Sequence, residues 1–443
     1  MIENIQESRF ENGLVVLTDR MAHVRSVTLG FFFRTGSRNE PDELNGITHF
    51  IEHTVFKGTR RRSALDLAIE QDRLGGSLEA FTTHEETGFA IKVIDEQLPA
   101  AFDLLADILF EPAFDERELE SEQRVIIEEM KMTDDQPEEA LGEIFSAAFF
   151  PGHPLGLPIT GTAETVRQFD HSFTSRYHAD NFTVGNLVIV AAGNVEHSQI
   201  LGLVEGALSS GSGGLRSTTP SAEAASNPPI LEGSLGQRKM CAPRPAAPIV
   251  IRQNKNLEQA HLIIATPYPA APDAARYAAD LLTNIVGGGM SSRLWQKIRE
   301  ERGLAYSVGA SNAMYMDVGV FSVYAGTSPE QAADVVELAV EELRSVVKDG
   351  VTAEELDLAK QLSRASILMN LEDSASRAAA LAQSEMVHGR QITVEETLAK
   401  IDAVTLDDVN SLAAERFKQE DVAFAAIGDL KRLNVDRETF RLT

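Results

Sequence analysis

The chain has 443 residues, 43% hydrophobic and 24% charged, a balance that suits a globular protein of two to four domains with ample material for a core. Ten histidines and a single cysteine, Cys241, exclude a disulfide framework and any cysteine-built zinc or redox centre, so a tightly held metal has to use His and carboxylates. A formal net charge of −27 repels phosphate backbones, which argues against nucleic acid and makes basic or unfolded polypeptides the fitting partners.

The first residues, Met1 to Ser8, are partly acidic and lack an apolar stretch, unlike a secretory signal or an Arg-rich presequence. No apolar run approaches the ~20 residues that cross a bilayer. A cytoplasmic protein without a membrane segment is expected.

In chain order, an apolar strand over Ser26–Arg34 precedes a helix from about Gly46 and a second helix near Ser63–Leu74. Strands around Ser77–Thr83 and Thr87–Ile94 follow. The chain then turns helical, with Leu98, Phe102, Leu105, Ile108 and Leu109 on one face, and an acidic helix runs from about Asp115 past Met130. Between about Ser209 and Pro229 a Ser/Gly/Pro-rich stretch carries no apolar period and reads as a linker.

The second half repeats this order: a strand over Ala260–Ala265, helices from about Asp273 and near Ser291–Glu301, and strands around Tyr306–Ser311 and Gly319–Tyr324. A helix with Val335, Leu338, Ala339, Leu343 and Val346 on one face comes next. Paired strands followed by helices predict an α+β fold, two homologous domains of antiparallel-rich sheet covered by helices and arranged as a clamshell. The expected division is 1–210, a linker over 211–229, and 230–443, with strands and amphipathic helices enough for each half to fold alone.

The stretch Gly46-Ile-Thr-His49-Phe-Ile-Glu52-His53 carries the chemistry. On a helix, positions i and i+4 share a face, so both imidazoles can reach one zinc ion at about 2.0–2.1 Å. Glu52, on the flank of that face, can take a proton from the attacking water. The pattern is short, and a pair of half-buried helix histidines would produce it as well. A third ligand is needed. Glu122 and Glu129, seven residues apart on the acidic helix, stack on one face while Glu128 turns about 100° away toward solvent, but position alone leaves open whether these residues merely solvate a surface helix.

The inverted motif in Gly46–Thr59, followed about 76 residues after His53 by Val-Ile-Ile-Glu-Glu-Met, resembles the pitrilysin and mitochondrial processing peptidase family, in its bacterial branch. The resemblance covers nearly the whole chain and implies one zinc ion per chain held by His49, His53 and Glu129, Glu52 as general base, and Glu122 as an auxiliary acid beside the ligands. Gly287-Gly-Gly-Met-Ser-Ser-Arg-Leu-Trp-Gln-Lys-Ile-Arg299-Glu-Glu-Arg-Gly-Leu-Ala-Tyr306 is similar to a long element of the family's second domain, which implies that Arg299 and Tyr306 extend toward the substrate. A guanidinium grips a peptide carbonyl or carboxylate, and a phenol donates to a developing oxyanion.

The resemblance further implies that substrate adds as a strand along the segment Gly75–Thr83, using Glu79, Ala80, Phe81 and Thr82, with Glu85 and Thr87 following. Glu79 stands where family members usually carry Asn. Gly287–Gly289 lacks the Walker lysine and is read as a turn between helices. His84 and His153 are not needed as ligands, because a catalytic zinc keeps its fourth position open. Cys241 is read as structural.

Together these readings predict a zinc metalloendopeptidase hydrolysing short or unfolded polypeptides in an enclosed chamber. By resemblance the chain is a homodimer or pairs with a related chain. The alternative is a non-catalytic, chamber-forming subunit, a role in which zinc-site residues are usually lost.

Overall fold

The computed structural model describes residues 3–209 and 242–442; the expected linker at 211–229 and Cys241 lie outside the described residues. In the first half the strands are β1 (Ile5–Arg9), β2 (Val15–Arg20), β3 (Ser26–Phe33), β4 (Ser77–Thr82), β5 (Thr87–Ile94) and β6 (Leu187–Gly193). In the second half they are β7 (Ile249–Gln253), β8 (Ala260–Tyr268), β9 (Ala305–Met314), β10 (Gly319–Thr327) and β11 (Ala423–Gly428).

The sheets run β1-β2-β6-β3-β5-β4 and β7-β11-β8-β10-β9. In the first, β2 and β6 are parallel and every other neighbour is antiparallel. The second repeats this: β7 and β11 are parallel and the rest antiparallel. The α+β repeat expected from the order of elements is therefore present in the strand order itself. Among the described residues the second sheet has no counterpart of β1.

Local sequence explains the elements near the site. β3 is apolar at five of its eight positions and is buried on both faces, Val27, Leu29, Phe31 and Phe33 to one side and Phe32 to the other. Helix α1 (Ile47–Thr54) packs Ile47, Phe50 and Ile51 inward, each fully buried, and turns His49, Glu52 and His53 to the opposite side. Ser63 and Asp66 form a capping box that starts α2 (Ala64–Leu74), and α3 (Leu98–Phe110) buries all five expected residues against the sheet. Helix α4 (Glu116–Asp135) is the expected acidic helix.

Two details depart from expectation. The helix expected from Asp273 starts at Arg276, because the Asp273 carboxylate accepts the Ala275 N–H at 2.9 Å and closes a turn first. Trp295–Glu300 forms a wider π-type turn in place of a regular helix. Gly287 ends the helix Arg276–Gly287 and Gly288–Gly289 turn the chain after it; a Cβ at Gly287 would stand 2.2 Å from the Ala310 nitrogen, so close packing against β9 demands the glycine.

Two compact units form, and they do not follow the linear division at 210 and 230. Of the described residues, one gathers 3–131, 158–209 and 368–392; the other gathers 132–157, 242–367 and 393–442. Each sheet has two apolar faces, and each takes the cover for its second face from the other half of the sequence. In the first unit, Ala378, Leu381 and Ala382 of the helix Ser374–His388 close over Val15, Leu17, Phe32, Val188 and Val190. In the second, Leu141, Phe145 and Phe149 of α5 (Pro137–Phe149) close over Ile263, Ala265, Ala423 and Ala425.

The helix Ser374–His388 is also fixed by buried charge. Arg377 donates to Asp19 on β2 at 2.5 Å, with both side chains almost fully buried. Glu385, also buried, accepts two bonds from Arg9 at 2.6 and 2.9 Å and one from Arg34 at 2.8 Å.

Candidate metal centre

Helix α1 is set by two devices at its start. Gly46 adopts a left-handed conformation (φ 95°), and a Cβ there would lie 2.6 Å from the Thr160 carbonyl oxygen, so only glycine fits. The Glu40 carboxylate, buried below the helix, accepts the backbone N–H groups of Gly46 at 2.7 Å and Thr48 at 2.8 Å. It thereby satisfies helix-terminal donors that no residue inside α1 can reach. Burial pushes the Glu40 carboxyl up to about 7, against the pull of those donors.

One turn on, the His49 and His53 rings stand 4.6 Å apart between centroids. Glu129 comes to them from α4, with one oxygen 3.8 Å from His49 Nε2 and the other 3.6 Å from His53 Nε2. These separations are too long for hydrogen bonds. They suit ligands of one ion, since two atoms bonded at ~2.0–2.1 Å to a tetrahedral centre stand roughly 3.3–3.4 Å apart. The three ligand atoms all lie within 4.8 Å of one another, the one such group of His, Cys or carboxylate side chains among the described residues.

The electrostatics agree with a cation at this point. His49 is buried and stands beside His53, which holds its imidazole down to about 3 and therefore in the neutral, lone-pair form that a metal needs. Its Nδ1 is buried without a hydrogen-bond partner. Burial pulls the His53 imidazole down as well, yet Glu122, Glu129 and Glu52 around it outweigh burial and raise it. Three carboxylates thus converge around the His53 imidazole.

Glu122 and Glu129 share a face of α4 as the seven-residue spacing requires, and Glu122 is buried while Glu129 is partly open. Glu122 Oε2 is 3.3 Å from His53 Nδ1. Glu128 turns outward and pairs with Lys131 at 2.6 Å. Neither His84 nor His153 joins the group: His84 Nδ1 bonds the Ser37 hydroxyl at 2.9 Å, and His153 Nδ1 accepts the Leu155 N–H at 3.1 Å.

Glu52 Oε2 accepts a 2.6 Å bond from the Thr82 hydroxyl. Burial raises the Glu52 carboxyl above its ordinary range, and the Thr82 bond opposes the rise. Among the described residues β4 pairs with β5 alone, and its other edge lies at the end of the sheet. Along it Glu79 and Phe81 face outward, while Ala80 and Thr82 are half-buried. The sequence places Thr82 on the substrate-binding strand but does not show its bond to Glu52, because an apolar-polar alternation locates the strand and does not name a partner 30 residues away. Glu40, and Lys57, whose ammonium donates to Glu122 Oε1 at 2.8 Å, likewise carry no local mark in the sequence.

Arg299 and Tyr306 belong to the second unit and meet there. The Arg299 guanidinium lies 4.0 Å from the Trp295 ring centre and 4.8 Å from that of Tyr306, stacked between two aromatic rings. Tyr306 remains 79% exposed.

Residues 15–163 match the family model described as insulinase (peptidase family M16), and residues 175–363 match the one described as the peptidase M16 inactive domain. An uncharacterised zinc protease of Streptomyces coelicolor is 36% identical across 100% of this chain and 92% of its own length. One from Bacillus subtilis is 36% identical over 94% of this chain and 96% of its own. In fold the chain is similar to a protease from Helicobacter pylori (TM-score 0.83, 21% identity, 97% of this chain and 100% of that one) and to a peptidase M16 inactive domain structure from Pseudomonas fluorescens (TM-score 0.84, 18% identity, 96% and 98%). With both family models side by side along it and full-length relatives above 30% identity, the chain belongs to peptidase family M16.

Proposed function

We propose that this chain is a zinc-dependent endopeptidase acting on short or unfolded polypeptides, as a homodimer or with a related chain. The observation that carries the reading is the convergence of His49, His53 and Glu129 on one point, with Glu52 on the same helix face. The zinc proteases among its relatives support the choice of metal. Intact ligands and base favour an enzyme over a non-catalytic subunit.

A bound zinc ion would supply Lewis acidity at the scissile carbonyl and lower the pKa of the attacking water. The remaining work falls to the chain. His49 and His53 present Nε2, and Glu129 presents its carboxylate. Glu52 takes the proton from the attacking water and passes it to the leaving amine, while the Thr82 hydroxyl fixes the oxygen not engaged in that transfer. An extended peptide pairs its main chain with the free edge of β4 along Glu79–Thr82, which gives affinity with little sequence demand. With Glu79 in place of the family's usual Asn, backbone pairing carries this contact. Arg299, preorganised by stacking, and the exposed phenol of Tyr306 are assigned to substrate carbonyls.

Metal analysis together with digestion of a mixed peptide library tests the reading. Wild-type protein should carry one zinc ion per chain and cut unfolded peptides internally, whereas His49→Ala and Glu129→Ala should lose the metal. At low salt, basic peptides should bind more tightly than acidic ones of equal length, given the net charge of −27. Stoichiometric zinc in both ligand variants would remove the assigned site.

A further inference from the structure

We propose that Lys57 is a positioning residue of the metal centre, acting through Glu122 to hold the His53 imidazole in the orientation that presents Nε2; this rests on the zinc reading above. Helix α1 runs directly into a tight turn, Val55–Lys57, which carries Lys57 back alongside His53, four residues earlier. There the Lys57 ammonium donates to Glu122 Oε1 at 2.8 Å. The other oxygen of the same carboxylate is the one 3.3 Å from His53 Nδ1.

Each oxygen of Glu122 therefore has a separate partner. The arrangement fixes the plane of the carboxylate, which in turn fixes the ring of His53 through Nδ1–H and leaves Nε2 as the free donor. Glu122 is 5% exposed in its side chain, so water does little to hold it. The charges nearby make the ammonium matter further. Glu52 and Glu129 already face the same position, and Glu122 lies next to it. Lys57 neutralises Glu122 and draws it away from the ligand position, where a loose carboxylate would compete with His53 for the ion or repel Glu129. Lys57 is a cation engaged by Glu122 Oε1, so its influence on the metal passes through Glu122.

The test is zinc affinity of the metal-free full-length protein, measured by competition with a chromophoric chelator, with thermal melting of the metal-free protein as the control. Lys57→Met should weaken zinc binding by about tenfold or more, the size of effect usual for partners of metal ligands. Lys57→Arg, which can bond Oε1, should stay within about threefold of wild type. Lys57→Gln, which keeps a donor and loses the charge, is measured alongside and should fall between them, so that the question survives if the Met variant folds poorly. Glu122→Gln should weaken binding on its own, and adding Lys57→Met to it should change nothing further, because the two residues act in series.

Wild-type affinity in Lys57→Met and Lys57→Gln would overturn this inference while leaving the zinc site standing, provided His49→Ala abolishes binding. An equal loss from Lys57→Met with and without Glu122 would overturn the route through Glu122. A lowered melting temperature with unchanged affinity would reduce Lys57 to a structural ion pair. Retention of zinc by His49→Ala and Glu129→Ala would instead sink the zinc reading itself.

Discussion

Glu52→Gln should retain one zinc ion per chain and lose peptide hydrolysis by roughly 10²–10⁴-fold, the range that a general acid–base group contributes. The substitution keeps the shape of the side chain and one oxygen for the Thr82 hydroxyl, so α1 and the ligands on it should not move. What disappears is the capacity to take a proton. Because His49, His53 and Glu129 form a group that could hold the metal without Glu52, metal content separates this role from a fourth-ligand role. Thr82→Val should show the graded version: zinc unchanged, turnover lowered by about tenfold, since a base held less firmly still accepts protons. Wild-type turnover from zinc-loaded Glu52→Gln would leave the base unassigned.

The parts of this site that could be read from sequence are those whose geometry is local. His49, Glu52 and His53 follow from helical spacing, and the apolar residues Ile47, Phe50 and Ile51 on the other face confirm which way the helix lies. β3 and β5 were legible as apolar runs, and their counterparts in the second sheet, β8 and β10, as copies of them. Glu129 needed more than spacing, because an acidic helix looks the same whether one carboxylate turns to a metal or all face water. Partners brought together by tertiary structure were not legible at all. Lys57 and Glu122 are 65 residues apart, and nothing local marks either as half of a pair. β6 enters the sheet between β2 and β3, pairing Val188 with Val15, a register that no short-range pattern encodes. The helix Ser374–His388 was missed for a related reason. Its buried face is made of alanines and one leucine flanked by Arg377 and Glu385, and charged residues on a helix with a weak apolar stripe read as a solvated surface.

A chain cut within 211–229 should stay folded as two associated pieces, while neither piece expressed alone should reach the native state. The repeat of elements invites the opposite expectation, that 1–210 folds independently and binds zinc, and the exchanged helices are what reverse it. A piece ending at 210 lacks the helix Ser374–His388, so Val15, Leu17, Phe32, Val188 and Val190 lose their cover. Burial of each such side chain contributes about 1.5–3 kcal/mol, so the five together approach the about 5–15 kcal/mol that separates folded from unfolded domains. Asp19 would also lose Arg377, and Arg34 would lose Glu385, so the ion pairs that seat the helix are gone as well. The piece beginning at 230 has the matching defect, since without α5 the face formed by Ile263, Ala265, Ala423 and Ala425 is bare of Leu141, Phe145 and Phe149. Co-expression supplies both helices, so the pieces should co-purify with zinc and peptidase activity near those of the intact chain. Circular dichroism, cooperative melting and zinc content of each piece alone and of the pair provide the measurement. A 1–210 fragment that is monomeric, melts cooperatively and binds zinc would show that the exchanged helix is dispensable, and the two sheets would then be independent folding units after all.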